Sequence, residues 1–285
     1  MGVSRGSLAL LAAFAGALAL AVPAGAGIAE GARYLRGQQN RDGGFGEPGA
    51  RSDANLTAWA ILGLRASGRW PARREAAARY LVDARDADMT DLELRVLALD
   101  AIGRGVGSLA RRLARHRRND GRIGASVNST IWGVLALRAA GRPAGRRTVR
   151  YLRRAQRPSG GWSWAPGGSA DTDDTAAAIQ ALRAVGVAAR SRAIDRAVRF
   201  LRRRQNRDGG FELLLGRGSN AQSTAWAIQA LVAARRAPGL AAFRYLHRRQ
   251  RANGSFRYSA AYSTTPVWVT AQVLPALARR PFPLR

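Results

Sequence analysis

Two kinds of apolar segment alternate along the chain. The first kind carries no charge for about three helical turns and is apolar on every side, which predicts helices that are buried all round. Examples are the segments 57–64, 130–137, 175–182 and 224–231. The second kind, such as 146–154, places its apolar residues on one stripe among arginines, which predicts outer helices with one solvated face.

A glycine-rich turn joins most outer segments to the next buried one. The sequence QNRDGGF at 39–45 returns at 205–211, and variants occupy 117–123, 156–162 and 250–256. A leucine precedes each turn by four residues. Together with Leu81, whose unit has lost its turn, these leucines recur at steps of about 32 to 49 residues, the size of a helix-pair repeat. Glycine permits the sharp reversal, and the leading Gln can satisfy free N–H groups where the next helix starts. We therefore expect the turns to be structural.

Six units predict twelve helices, with residues 27–285 as a single all-α domain. The simplest arrangement is an α/α toroid, an inner barrel of helices inside a helical jacket. An open solenoid is the alternative, but it would expose uniformly apolar helices on a concave surface. The second unit has no Gly-Gly turn, and its buried segment is interrupted by Asp91, Glu93, Arg95 and Asp100. The pattern leaves open whether the ring closes there.

The composition adds a strong positive charge to this picture. The chain has 285 residues, a formal net charge of +29 and no cysteine, and all 47 basic residues are arginines. Arginines concentrate on the outer helices, which predicts either attraction to an anionic membrane or wall polymer or a merely solubilising surface. Nucleic acid would bind without specificity, because no recognition motif is present. The missing cysteines exclude disulfides and thiolate metal sites.

The N-terminal segment 1–26 has the layout of a secretory signal. Arg5 precedes an apolar run from Leu8 to Val22, and small residues at 24–26 suit a cleavage site. This predicts a protein that is secreted or held in the cell envelope. An uncleaved membrane anchor is the alternative.

Acidic residues concentrate at the start of one buried segment. Aligned on the segment's threonine, four units are polar at the same two positions: Asp53 and Asn55, Ser126 and Asn128, Asp171 and Asp173, Asn220 and Gln222. This pair of polar positions is typical of helix N-caps, but the fourth unit carries a third acidic residue, Asp174. Three clustered carboxylates repel one another, so shielding should raise at least one pKa. The cluster is either a cap or an acid and ligand site.

These features resemble the superfamily of terpene cyclases, squalene cyclases and prenyltransferases. The turns resemble its QW motifs, and DTDDTA at 171–176 resembles the DxDDTA motif of class II terpene cyclases. The resemblance implies an α/α toroid in which Asp173 donates a proton and Asp171 and Asp174 tune it, with no metal or cofactor. Aromatic and polar residues near the barrel mouth would then contact the ligand, although the tryptophans suit ordinary packing equally: Trp59, Trp132, Trp226, Trp268, Asn55 and Gln222.

The sequence therefore predicts an exported cyclase-like toroid that holds a hydrophobic, isoprenoid-type ligand. If it is an enzyme, the class is an isomerase or lyase that starts by protonation. The alternatives are a non-catalytic ligand carrier of the cobalamin-binding kind and a basic envelope scaffold. Two features depart from class II cyclases: there is one toroid, and His116 and His247 lie on outer segments away from the acids. A zinc-dependent protein prenyltransferase is disfavoured and thioester toroids are excluded, because both need a cysteine.

Overall fold

The computed structural model describes residues 26–284, and twelve helices alternate along them between an inner and an outer layer. The inner helices are α2 (Ala54–Ala66), α4 (Met89–Ala101), α6 (Val127–Ala139), α8 (Thr172–Ala184), α10 (Ala221–Ala233) and α12 (Pro266–Leu277). The outer helices are α1 (Ala26–Gly37), α3 (Arg74–Asp83), α5 (Gly107–Arg115), α7 (Arg146–Ala155), α9 (Arg192–Arg202) and α11 (Leu240–Arg249). A small antiparallel pair, β1 (Phe211–Glu212) and β2 (Ser219–Asn220), precedes α10.

The inner helices form a closed ring. Each packs against the next in chain order, and α12 packs back against α2. The α/α toroid predicted from the repeats is thus confirmed, and the open solenoid is excluded. The irregular second unit does not break the ring, because α4 packs against both α2 and α6. The predicted signal segment lies outside the described residues except for Ala26.

The recurring turn ties five of the six outer helices to the inner helix that follows. Gly43 has φ 94°, and a Cβ there would meet the backbone of Ala76 at 2.4 Å, so the reversal requires glycine. Phe45 is fully buried under the turn, and its N–H donates to Thr57 Oγ1 at 2.8 Å. The same bond recurs in four further units, which supports a structural role for the turns: Ile123 to Thr130, Trp162 to Thr175, Phe211 to Thr224 and Phe256 to Thr270.

The leading glutamine of the turn also has a structural role. Gln39 Oε1 accepts from the N–H of Arg73, the residue before α3, at 2.8 Å, as expected for a group at a helix start. Its Nε2 donates to Gly43 O at 2.8 Å. In the turns at Gln156, Gln205 and Gln250 the amide donates to the equivalent glycine carbonyl.

The loops that follow four of the turns cap the preceding inner helix of the ring. Trp164 O accepts from the first two N–H groups of α6, Leu213 O from the first of α8, and Tyr258 O from the first of α10. The first unit does the same for the last helix, because the Glu47 carboxylate accepts from Val267 N and Trp268 N at 2.9 Å each. These bonds satisfy helix N–H groups that have no partner within the helix.

The lumen of the barrel is filled by aromatic rings. Trp59, Trp132 and Trp226 come from alternate inner helices and meet edge to face, with ring centroids 5.4 to 5.9 Å apart. The ring centroid of Phe282 lies 5.8 to 6.3 Å from the ring centroids of all three tryptophans. Its N–H donates to Gln180 Oε1 at 2.7 Å, so the segment after α12 closes the barrel where the inner helices end.

Candidate functional site

The opposite end of the barrel, where the inner helices start, carries a ring of half-exposed side chains. Each member stands two residues before the fully buried threonine of its helix, so all lie at the same level. We call this set the mouth ring: Asn55, Asn128, Asp173, Gln222 and Trp268. The predicted ligand residues Asn55, Gln222 and Trp268 therefore share one end of the barrel with the predicted acid.

Side chains of neighbouring inner helices are bonded to each other at this level. Asn55 Nδ2 on α2 donates to Asp91 Oδ1 on α4 at 3.1 Å. Asn128 Nδ2 on α6 donates to Asp174 Oδ1 on α8 at 2.6 Å. The mouth is thus a connected polar layer, and Asp91, which interrupts the apolar pattern of the second unit, belongs to it.

Asp171 is the N-cap of α8. Its side chain accepts from Asp174 N at 2.8 Å, just as Asp53 accepts from Leu56 N on α2 and Asn220 from Ser223 N on α10. Burial raises the pKa of Asp171, and the hydrogen bonds that it accepts oppose this. Capping thus accounts for Asp171 but not for the other two carboxyl groups.

Asp174 is a buried carboxyl group held between two neighbours. Burial raises its pKa to about 8, and the charge of Asp171 adds to the rise. The hydrogen bond from Asn128 opposes the rise because it favours the ionised form. At neutral pH Asp174 is therefore mainly protonated.

Asp173 is the carboxyl group that stands in the mouth ring. Burial raises its pKa to about 7, the Ser223 hydroxyl opposes this by hydrogen bonding, and the charge of Asp171 contributes to the rise. Although the residue as a whole is partly exposed, its Oδ1 is buried and has no hydrogen-bond partner among the described residues. Asp173 therefore combines a pKa near neutral pH with a buried carboxyl oxygen that has no hydrogen-bond partner among the described residues.

An aromatic floor lies below the mouth ring. Trp59, Trp132 and Trp226 stand four residues, or one turn, after Asn55, Asn128 and Gln222. On α8 the same level is occupied by Ala177, directly below Asp173 in the helix. The tryptophans are almost fully buried, and Trp226 Nε1 donates to Gln272 Oε1 at 2.8 Å. The rings pack on one another and close the lumen beneath the mouth.

Three loops at the mouth end of the barrel carry large, exposed apolar side chains. Trp164, Leu215 and Tyr262 are 63, 78 and 64 % exposed. Their loops overlie the starts of α6, α8 and α10, so they form an arc beside Asp173. We call this arc the apolar rim. The sequence analysis did not select these three residues or Glu47. The only sequence feature that marks them is that each is a large apolar or charged residue within a loop rich in small residues.

A cavity of about 460 Å³ opens at the mouth on the side of α2 and α12. Glu47, Asn55, Leu56 and Trp268 are among its lining residues, so it joins two of the predicted ligand residues. No group of three or more histidines or acids that could hold a metal ion occurs in residues 26–284. His116 ends α5 and His247 lies on α11, as expected from the sequence.

Comparison with known proteins shows which family the chain resembles. The family model for the squalene-hopene cyclase C-terminal domain matches residues 131–270, which include the acidic cluster. The drimenyl diphosphate synthase of Streptantibioticus cattleyicolor is 34 % identical over 199 residues, covering 56 % of this chain and 37 % of that enzyme. The chain thus spans well under half the length of this curated relative.

Solved terpene cyclases share the fold. A variant of the type II terpene cyclase MstE from Scytonema, solved with geranylgeranyl dihydroxybenzoate, matches with a TM-score of 0.66 and 20 % identity over 89 % of this chain and 96 % of that one. The ent-copalyl diphosphate synthase of Streptomyces platensis matches with a TM-score of 0.63 and 22 % identity over 87 % and 54 %. The chain is thus similar in sequence and in fold to the terpene cyclase and squalene cyclase superfamily of α/α toroids, and it is class II terpene cyclase-like.

Proposed function

We propose that the protein is a class II terpene cyclase in which Asp173 starts cyclisation by protonating an alkene. The observation that carries this proposal is the state of the Asp173 carboxyl group. Its pKa of about 7 keeps about half of the molecules protonated at neutral pH, and its Oδ1 has no hydrogen-bond partner among the described residues. A neutral carboxyl group held in an apolar site is a suitable general acid.

The proposed step moves one proton from Asp173 to a terminal alkene carbon of a linear isoprenoid. The alkene π electrons form the new C–H bond, and the electrons of the broken O–H bond stay on Asp173 as a carboxylate. The Ser223 hydroxyl stabilises that carboxylate by hydrogen bonding. The next alkene attacks the tertiary cation and closes a ring. Loss of a proton from the final cation restores the proton balance.

The surroundings of the acid support an apolar, polyene substrate. Trp164, Leu215 and Tyr262 form the apolar rim on the Asp173 side of the mouth. Trp268 is half-exposed in the mouth ring, and indole faces stabilise cations. Because the tryptophan floor closes the lumen, the substrate in this proposal lies between the rim and the floor.

One observation favours a second candidate, a toroid that binds a hydrophobic molecule without turnover. Trp59, Trp132, Trp226 and Phe282 pack on one another in the lumen and fill it beneath the mouth. A carrier needs only the mouth and rim, whereas a polycyclising enzyme must fold its substrate around the acid. Both candidates use the same surface, so product formation distinguishes them.

The test is incubation of the purified protein with squalene, farnesyl diphosphate and geranylgeranyl diphosphate in H2O and D2O, with products read by mass spectrometry. Asp173→Asn removes the proton, and Asp53→Asn is the matched control, because it makes the same change at the cap of α2. We expect a cyclic product that gains one deuterium in D2O, is kept by Asp53→Asn and is lost in Asp173→Asn. Unchanged turnover in Asp173→Asn would refute the proposal. A retained isoprenoid without product would favour the carrier.

We also propose that the protein acts outside the cytoplasm, because segment 1–26 has the layout of a secretory signal. No helix of residues 26–284 is both long and apolar enough to cross a membrane. Fractionation of host cells with N-terminal sequencing of the recovered protein tests this. Recovery of the chain with an intact N-terminus in the cytoplasmic fraction would contradict export.

A further inference from the structure

A cavity of about 770 Å³ lies on the other end of the barrel, between α7 and the ends of α6 and α8. Five arginines line it and no acidic residue does: Arg138, Arg146, Arg150, Arg153 and Arg183. We call this cavity the arginine groove. It is distinct from the mouth, because Arg183 stands ten residues along α8 from Asp173, a rise of about 15 Å. The tryptophan floor and Phe282 fill the lumen between them.

Three of the arginines form a stripe on one face of α7. Arg146, Arg150 and Arg153 follow each other at spacings of four and three residues, which places them side by side on a helix. All three are exposed, and none forms an ion pair among the described residues. Like charges at this spacing destabilise a helix, so an anion bound between them would relieve a repulsion that the fold leaves in place.

The remaining two arginines are held at the base of the groove by the ends of the inner helices. Arg138 Nε donates to Ala184 O at 3.0 Å, and Arg183 Nε donates to Ala233 O at 2.9 Å. The sequence from 121 to 170, which supplies most of the lining, contains no Asp or Glu. No carboxylate of that stretch therefore neutralises the positive field of the groove.

The surface between the arginines is apolar. Pro143, Ala144, Val149 and Val185 line the groove together with the aliphatic stems of the arginines. A small inorganic anion would leave this surface uncovered. An amphiphile would match both parts, because its anionic head would meet the guanidinium groups while its hydrocarbon covers the apolar residues.

We propose that the arginine groove binds the phosphate or diphosphate head of an amphiphilic lipid. Guanidinium groups bind phosphate oxygens in a two-pronged geometry that ammonium groups cannot reproduce. The same chemistry could be supplied by a phospholipid in a membrane or by a free prenyl diphosphate. The site does not depend on the proposed cyclase activity.

The test compares two triple variants with the same net charge. Arg146→Gln, Arg150→Gln and Arg153→Gln together remove the stripe. The control changes three exposed arginines of α1 and α3 that form no ion pair: Arg33→Gln, Arg36→Gln and Arg79→Gln. Binding is measured for geranylgeranyl diphosphate by equilibrium dialysis and for phosphatidylglycerol vesicles by co-sedimentation, both at physiological salt to screen non-specific attraction.

We expect the stripe variant to bind about tenfold more weakly or worse, because charge-assisted hydrogen bonds are lost, and the control to change by less than about twofold. Loss for geranylgeranyl diphosphate alone identifies a soluble ligand, and loss for vesicles alone identifies a membrane lipid. Equal weakening in both triple variants would show a general charge effect and overturn the proposal, as would no binding by the unmodified protein. Arg150→Lys separates geometry from charge, and we expect it to weaken binding although the net charge is kept.

Discussion

The proton on Asp173 gives the protein a pH-dependent stability that one substitution should remove. The folded-state pKa is about 7 and the ordinary value is 3.8. Between these values the folded chain holds a proton that the unfolded chain has released, so stability falls as pH rises and levels off above the folded pKa. One extra bound proton corresponds to a slope of about 1.4 kcal/mol per pH unit. From pH 5 to pH 7 the loss is about 2 kcal/mol.

The assay is urea unfolding of the unmodified protein and Asp173→Asn at pH 5, 6, 7 and 8. The unfolding free energy of the variant minus that of the unmodified protein should rise by about 2 kcal/mol from pH 5 to pH 7, because Asn cannot ionise. Gln222→Asn, in the same mouth ring, should give a curve parallel to the unmodified protein. A difference for Asp173→Asn that does not change with pH would refute the assignment. If the protein is a cyclase, its turnover should also fall above pH 7.

Three further perturbations test the fold around the site. Trp132→Ala should lower the unfolding free energy by about 3–5 kcal/mol, because it removes a ring from the core. Trp164→Ala, at an exposed position, should lower it by under about 0.5 kcal/mol. Equal losses in chemical denaturation would contradict a packed tryptophan floor. Glu93→Met should stabilise the protein by about 1–3 kcal/mol, because both oxygens of Glu93 are buried without partners among the described residues. Burial raises the pKa of Glu93, so the gain should grow as pH rises above the ordinary carboxyl pKa; a net loss of stability would reveal an unseen partner. Gly43→Ala should lower the melting temperature far more than Gly49→Ala. Both glycines have positive φ, but only at position 43 would the added Cβ meet a backbone carbon of α3, at 2.4 Å. Similar melting temperatures of the two variants would argue against that close approach.

The repeat pattern was enough to predict the helix pairs and the toroid. Buried and one-sided apolar segments differ plainly in sequence, and their strict alternation fixes the two layers. The second unit could not be settled in this way, because Glu93 and Arg95 look like surface residues. In the fold both are buried on α4, and Arg95 pairs with Asp86 from the short connection before that helix, at 3.2 Å. Such a partner lies nine residues away and follows no helical spacing.

The candidate site was only partly predictable. Alignment on the threonine placed Asp171 at a cap position. It placed Asp173 at the same level of the barrel as Asn55 and Gln222, and the structure shows both arrangements. The pKa order of the acids depends on burial and on neighbours such as Asn128 and Ser223, which come from other helices. The contact between tryptophans depends on the radius of the barrel, which sequence spacing does not contain. The apolar rim depends on how the loops fold back over the helix starts.

The carboxylate of Glu47 joins the beginning of the ring to its end, across 220 residues of chain. A linear repeat protein can lose units from its ends one at a time, because each contacts only its neighbours. A toroid sealed by such a bond has no terminal unit to fray. Its last inner helix acquires a complete set of N-terminal partners only after the first unit has found it, so closure is a late, long-range event. Until then, the faces by which α2 and α12 pack on each other remain uncovered, and exposed apolar surface of this kind favours aggregation.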